Sequence, residues 1–186
     1  QPIKVAEREP LPRLQCHYLQ TLRLGIKFQD IAQRLSEIEA KLMAKGEAEV
    51  KILVDATGPG QPIPELIRGS VKCPVISCRF TSGAEPSYDG KSAMIPKEPM
   101  VTNLQIFIQE KRLELPKKTK DPDQAKANQE MLLQLQNFMR DMPKEGARAE
   151  TFEAKVGTHD DLVTALGLAV WGAKHYRPCE PFVRRL

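Results

Sequence analysis

Two adjacent carboxylates, Asp160 and Asp161, open the otherwise apolar run "LVTALGLAV". Aspartate favours a helix start, where its oxygen accepts free backbone N–H groups and its charge meets the positive end of the dipole. One acid meets that need, and two neighbouring like charges repel unless a cation or the dipole offsets them. The pair therefore either caps a helix or holds a cation. A third acid, Asp55, follows "KILV" and precedes "ATGPG". An acid at the carboxyl end of a buried strand faces the crevice where α/β folds place ligands. The glycines after it allow close approach to the backbone. Taken alone, Asp55 is read equally well as a cap for a turn or for the next helix. Joined with Asp160 and Asp161 it makes a carboxylate cluster of the hard-oxygen kind that Mg²⁺ takes.

His159 stands beside the acid pair, where it pairs with a carboxylate, assists proton transfer, contacts phosphate, or simply forms a helix-entry group. His17 and His175 lack matching partners and read as structural. Gly-Lys-Ser at 90–92 invites comparison with a phosphate-binding loop, but that loop has four residues between its glycines. Gly83 and Gly90 enclose six, and the chain then meets Pro96 and Pro99 instead of opening into a helix, so no ATP site is expected. Basic residues gather at Lys117, Lys118 and Lys120 and at Arg177, Arg184 and Arg185, with Lys91 and Lys97 in or beside a long loop. Each group is a solvated face or a set of phosphate contacts. Of the cysteines, Cys73 and Cys78 flank a proline and an apolar run without histidines at zinc-finger spacing. Reduced thiols fit better than a structural zinc.

These residues need elements to position them. Residues 2–8 read as an extended entry and 14–23 as a strand. Phe28, Ile31, Leu35, Ile38 and Leu42 recur at helical spacing, and Gly46 ends that helix. Strands follow at 50–56 and 73–80, with a sharp turn and a short helix between them. Residues 81–99 read as a long loop, rich in Gly, Pro and Ser. A helix over 100–111 carries the stripe Val101, Leu104 and Ile108. A short strand at 112–116 and a polar turn at 117–124 lead to a helix over 124–141, with Leu132, Leu135 and Phe138 inside. Residues 149–156 are extended, and 160–175 form the last helix. Strands interleaved with helices predict a three-layer α/β fold around a mixed central sheet.

A chain of 186 residues fits a single domain spanning 1–186, with no repeat and no clear linker. Aromatics at 5% disfavour a platform for stacking single-stranded bases, whereas a net charge of +4 is compatible with a polyanionic partner. No apolar run reaches the ~20 residues of a membrane helix, and no secretory signal is expected at the start.

The stretches "VDATGPG" at 54–60, "IPKEPMVTNLQIFIQEKRLELP" at 95–116 and "GTHDDLVTALGLAV" at 157–170 together resemble the C-terminal nuclease domain of large terminase subunits of tailed bacteriophages. They stand in that family's order and span nearly the whole chain. The resemblance implies an RNase H-like fold close to Holliday-junction resolvases. It implies a metal-dependent endonuclease that cuts concatemeric double-stranded DNA when packaging starts and ends. Two Mg²⁺ or Mn²⁺ ions, roughly 4 Å apart in such sites, would serve that chemistry.

By resemblance, Asp55 matches the family's acid on a central strand, and Asp160 and Asp161 match the acidic pair on the last helix. Asp161 is favoured as ligand, because the apolar face through Ala165 and Leu168 should turn it toward the sheet. Lys97 matches a lysine placed to contact DNA, with Lys91 nearby, and His159 falls just outside the ligand set. The family's first-strand aspartate is expected upstream of Gln1, so this chain alone should cut poorly. A packaging ATPase domain, a small terminase subunit and a portal are the implied partners, in the host cell cytoplasm and with no membrane. The competing expectation is a non-catalytic RNase H-like module that binds DNA or protein.

Overall fold

The computed structural model describes residues 12–46, 49–58, 62–116, 119–140 and 160–175. The expected extended segments at 2–8 and 149–156 lie outside them. A four-stranded sheet organises the fold. It is built from β2 (Ile52–Asp55), β3 (Val75–Thr81), β5 (Ser92–Pro96) and β4 (Ser87–Tyr88), in the order β2-β3-β5-β4. The first three are parallel, and β4 runs antiparallel to β5. Register places Asp55, Cys78, Ala93 and Tyr88 in one row across the strands.

Alternation along the strands sends side chains to two faces, and each face is covered by helices. Ile76, Cys78, Ala93 and Ile95 pack with Met100 and Val101 of α3 (Lys97–Gln109) and with Leu168 and Trp171 of α5 (Asp161–His175), and Leu53 joins them. Ile52, Val54 and Val75 point the other way, against Ala32 of α1 (Phe28–Ala44) and Ile67 of α2 (Pro62–Arg68). The parallel β2–β3 pair requires a crossover, which α2 supplies. Beyond the sheet, α3 and α5 meet α4 (Pro122–Arg140) around Phe107, a fully buried side chain whose truncation to alanine would cost about 3–5 kcal/mol.

Two glycines let α5 sit close. A Cβ at Gly172 would lie 2.9 Å from Cδ2 of Leu53, and one at Gly167 would lie 3.2 Å from Cε of Met100. Contact this tight accounts for glycine inside a helix, where it costs about 1 kcal/mol relative to alanine.

The structure departs from expectation in three places. The region 14–23 contributes only β1 (Leu14–Gln15), which pairs in parallel with β6 (Leu113–Glu114) in a separate two-stranded sheet. Residues 81–99 are not one loop. Asp89 turns a hairpin there, its carboxylate accepting the Lys91 and Ser92 N–H groups at 3.0 and 2.6 Å, with Gly90 at φ +86°. The flanking segments become β4 and β5, and α3 starts at Lys97. In α4 Leu135 is buried as expected, with Ala127 and Met131, whereas Leu132 is 51% exposed; the Phe138 side chain lies outside the described residues.

Candidate functional site

Asp55 ends β2 and is exposed. Alternation puts its side chain on the face of Leu53, which α5 touches through Gly172. The Thr57 N–H and hydroxyl donate to Asp55 Oδ1 at 2.9 and 2.6 Å. Thr57 Oγ1 in turn accepts the Phe80 N–H at 3.1 Å, which fastens the turn after β2 to β3. Among the described residues, nothing donates to Oδ2. Beside Asp55 in the same row, burial above all, and then the Asp55 charge, pushes the Cys78 thiol up to about 12. Cys16, Cys73 and Cys78 are free thiols.

The acid pair stands at the head of α5. The Asp160 carbonyl accepts the first helical bond, from the Thr164 N–H at 2.8 Å, which makes Asp160 the residue that would ordinarily cap with its side chain. It does not cap here. The Leu162 and Val163 N–H groups donate to Oε1 of Gln134 on α4, at 3.0 and 3.4 Å. Gln134 is itself buried. The Asp160 carboxylate is half-buried and accepts no hydrogen bond among the described residues.

The helix faces differ from the reason expected to favour Asp161, an apolar face running through Ala165 and Leu168. Ala165 and Ala169 are exposed, and Asp161 is exposed on the same stripe. Asp160 instead shares its stripe with half-buried Thr164 and buried Leu168. The apolar face of α5 is set by Leu162, Val163, Leu166 and Val170, and these turn Asp161 outward.

Asp55 and the acid pair are not shown as one ligand set. Eleven residues separate Asp161 from Gly172, or about 16 Å of helix, so the acids lie far along α5 from its contact with Leu53. Among the described residues no group of three or more His, Cys, Asp or Glu side chains is placed to hold a metal ion. The donors are of the hard-oxygen type that Mg²⁺ and Mn²⁺ favour, and among the described residues they do not by themselves make a complete site.

The lysines mark opposite ends of β5. Lys91 is exposed in the β4–β5 turn, and its carbonyl accepts from Arg68 at 2.8 Å. The Gly-Lys-Ser sequence is therefore a hairpin turn and not a phosphate loop. Lys97 is half-buried in the first turn of α3, roughly 17 Å of strand away. That helix starts after Pro96 without a side-chain cap, so a cation and a positive dipole end coincide there. His159, Lys117, Lys118, Arg177, Arg184, Arg185 and Cys179 lie outside the described residues.

Sequence reasoning missed Gln134 and Glu39. Glu39 on α1 is buried, and its carboxylate accepts the Lys72 N–H at 2.9 and 3.1 Å and the Cys73 N–H at 2.5 Å. The only local signal for either was a polar residue inside an apolar helical stripe. Among the described residues, no helix is long and apolar enough to cross a membrane.

No protein-family model matches the chain, and no curated protein or solved structure matches it.

Proposed function

We propose that this chain is a nuclease domain of the large-terminase type, acting on double-stranded DNA with Mg²⁺ or Mn²⁺. The observation that carries the reading is one of sidedness. Asp55 ends a strand on the face covered by α5, and α5 is the helix that opens with Asp160 and Asp161. Helices on both faces of a mixed sheet are compatible with an RNase H-like fold. In this reading Asp55 offers Oδ2 and Asp160 its carboxylate, neither of which accepts a hydrogen bond among the described residues, with Asp161 as a further ligand. When bound, such ions supply an activated water and charge stabilisation for phosphodiester cleavage. Lys97, in the first turn of α3, gives a phosphate a cation near the positive end of the helix. The small terminase subunit, the portal, an ATPase domain and the host cytoplasm belong to the same proposal.

A DNA- or protein-binding module without catalysis is the second reading, favoured by the absence of a three-acid group among the described residues. Calorimetric Mn²⁺ titration with a plasmid-nicking assay decides between them. The nuclease reading expects saturable Mn²⁺ binding, weakened at least tenfold by Asp55→Asn, and nicking lost in the same variant. Mn²⁺ affinity equal in wild type and Asp55→Asn, with DNA binding intact, would leave the binding module standing.

A further inference from the structure

We infer that Gln134 is a positioning residue for the acid pair: it takes the capping bonds at the head of α5 and so keeps the Asp160 carboxylate out of the helix cap. The second half of this statement rests on the nuclease reading, because that reading gives Asp160 its use. The first half rests on geometry alone.

In an ordinary helix start, the side chain of the capping residue accepts the N–H of the second or third helical residue. In α5 these residues are Leu162 and Val163, and both donate to the Gln134 carboxamide oxygen, at 3.0 and 3.4 Å. Asp160 has the right chemistry and the right position for the task, yet a glutamine from another helix performs it. The arrangement carries a cost. Gln134 sits among Met131 and Leu135 in an apolar core, where an amide is tolerated only when its hydrogen bonds are made. Its Nε2 donates to Glu130 Oε1 at 3.4 Å, so both ends of the carboxamide are used.

The choice of a neutral group matters. A carboxylate from α4 would cap equally well but would place a third negative charge beside Asp160 and Asp161. The carboxamide satisfies the N–H groups without adding charge. Asp160 is then left half-buried, near the positive end of α5, with no hydrogen-bond partner among the described residues. A bond from α4 to α5 also fastens the two helices together, so a simple loss of stability on mutating Gln134 does not distinguish fastening from positioning. Coupling between Gln134 and Asp160 does. If Gln134 is removed, Asp160 rotates into the vacant cap and becomes structural.

A double-mutant cycle in urea unfolding tests this with wild type, Gln134→Met, Asp160→Ala and the double variant. Methionine keeps the volume and removes the acceptor. Asp160→Ala should change the unfolding equilibrium less than about twofold in the wild-type background, and on the order of fivefold in Gln134→Met, the worth of a typical cap. The Leu162 and Val163 amides should stay protected from hydrogen exchange in either single variant and lose protection in the double. Additive effects would overturn the inference. Mn²⁺ titration of the same proteins reads the functional half, with Gln134→Met weakening binding several-fold. Full Mn²⁺ affinity in Gln134→Met would also overturn the positioning role. Coupling without Mn²⁺ binding in any of the four proteins would uphold the cap exchange and sink the nuclease reading, so the two failures are distinct.

Discussion

Glu39 and Asp55 are carboxylates that each stand beside a buried thiol, and the protein uses them in opposite ways. Glu39 is enclosed, and its two oxygens are occupied by the backbone N–H groups of Lys72 and Cys73. These donors hold its carboxyl below the ordinary value of 4.5, the Lys72 bond contributing most. Asp55 is exposed, and one oxygen is held by Thr57 in its own turn. The difference separates fastening from availability. A carboxylate whose acceptors are filled by buried backbone stitches two segments together, whereas one tied at a single oxygen retains capacity for a ligand. An acidic residue type alone does not tell these apart; the donors around it do.

The largest expected effect breaks the symmetry between the pair. Glu39→Ala leaves the buried Cys73 N–H and the part-buried Lys72 N–H without their acceptor. It should lower the melting temperature clearly, whereas Asp55→Asn should stay close to wild type. A melt in which Asp55→Asn falls as far as Glu39→Ala would make Asp55 a fastener as well.

Acid titration sharpens the contrast. A carboxyl whose folded value is depressed contributes stability that is present above its unfolded value and is lost as pH falls through the folded one. For Glu39 that loss begins as pH drops below about 4.5. Asp89, held below 3.8 chiefly by the Ser92 hydroxyl, adds a later loss. Urea midpoints across this range should fall steeply in wild type and less steeply in Glu39→Gln. Parallel slopes would remove Glu39 as the acid-sensitive stitch.

The smallest effect uses the thiols as reporters. Burial first and Glu39 second push the Cys73 thiol up to about 11, and burial first and Asp55 second raise Cys78 to about 12. These thiols are buried, so alkylation waits on local opening, and its rate then tracks thiolate content; Asp55→Asn should modestly speed modification of Cys78 and leave Cys73 unchanged. Glu39→Gln should do the reverse. Mass spectrometry of the labelled peptides would show whether each carboxylate acts on its own neighbour.

Strands β2 and β3, the helix periods at 28–42 and 160–175 and the end of β2 at Asp55 were legible because their signals are local. Apolar runs with the right period and length need little context. Composition misled at 81–99, where Gly, Pro and Ser suggested a loop although Asp89 and Gly90 supply a hairpin turn. In α4, the run Met131, Leu132, Leu133 leaves the helical phase open, and packing against Phe107 settled it on Met131. Gln134 and Glu39 could not be found from their own surroundings. Their partners lie 28 and 33 residues away, and nothing in the intervening chain encodes that meeting. The apolar face expected through Ala165 escaped for a similar reason, since a helix buried on most sides shows its exposed stripe only once its neighbours are placed.

The β1–β6 pair has a consequence for how the chain assembles. It joins Gln15 to Glu114 across a separation of 99 residues with two residues of strand on each side. Closing so long a loop costs several times RT in entropy, and so short a ladder returns little before the rest is in place. The front of the chain should therefore dock last, onto a sheet and helix layer already formed. In the native state it should be the first to let go, and the Leu14 and Cys16 amides, which donate to Arg112 and Glu114 at 2.8 Å, would exchange well before those of β3.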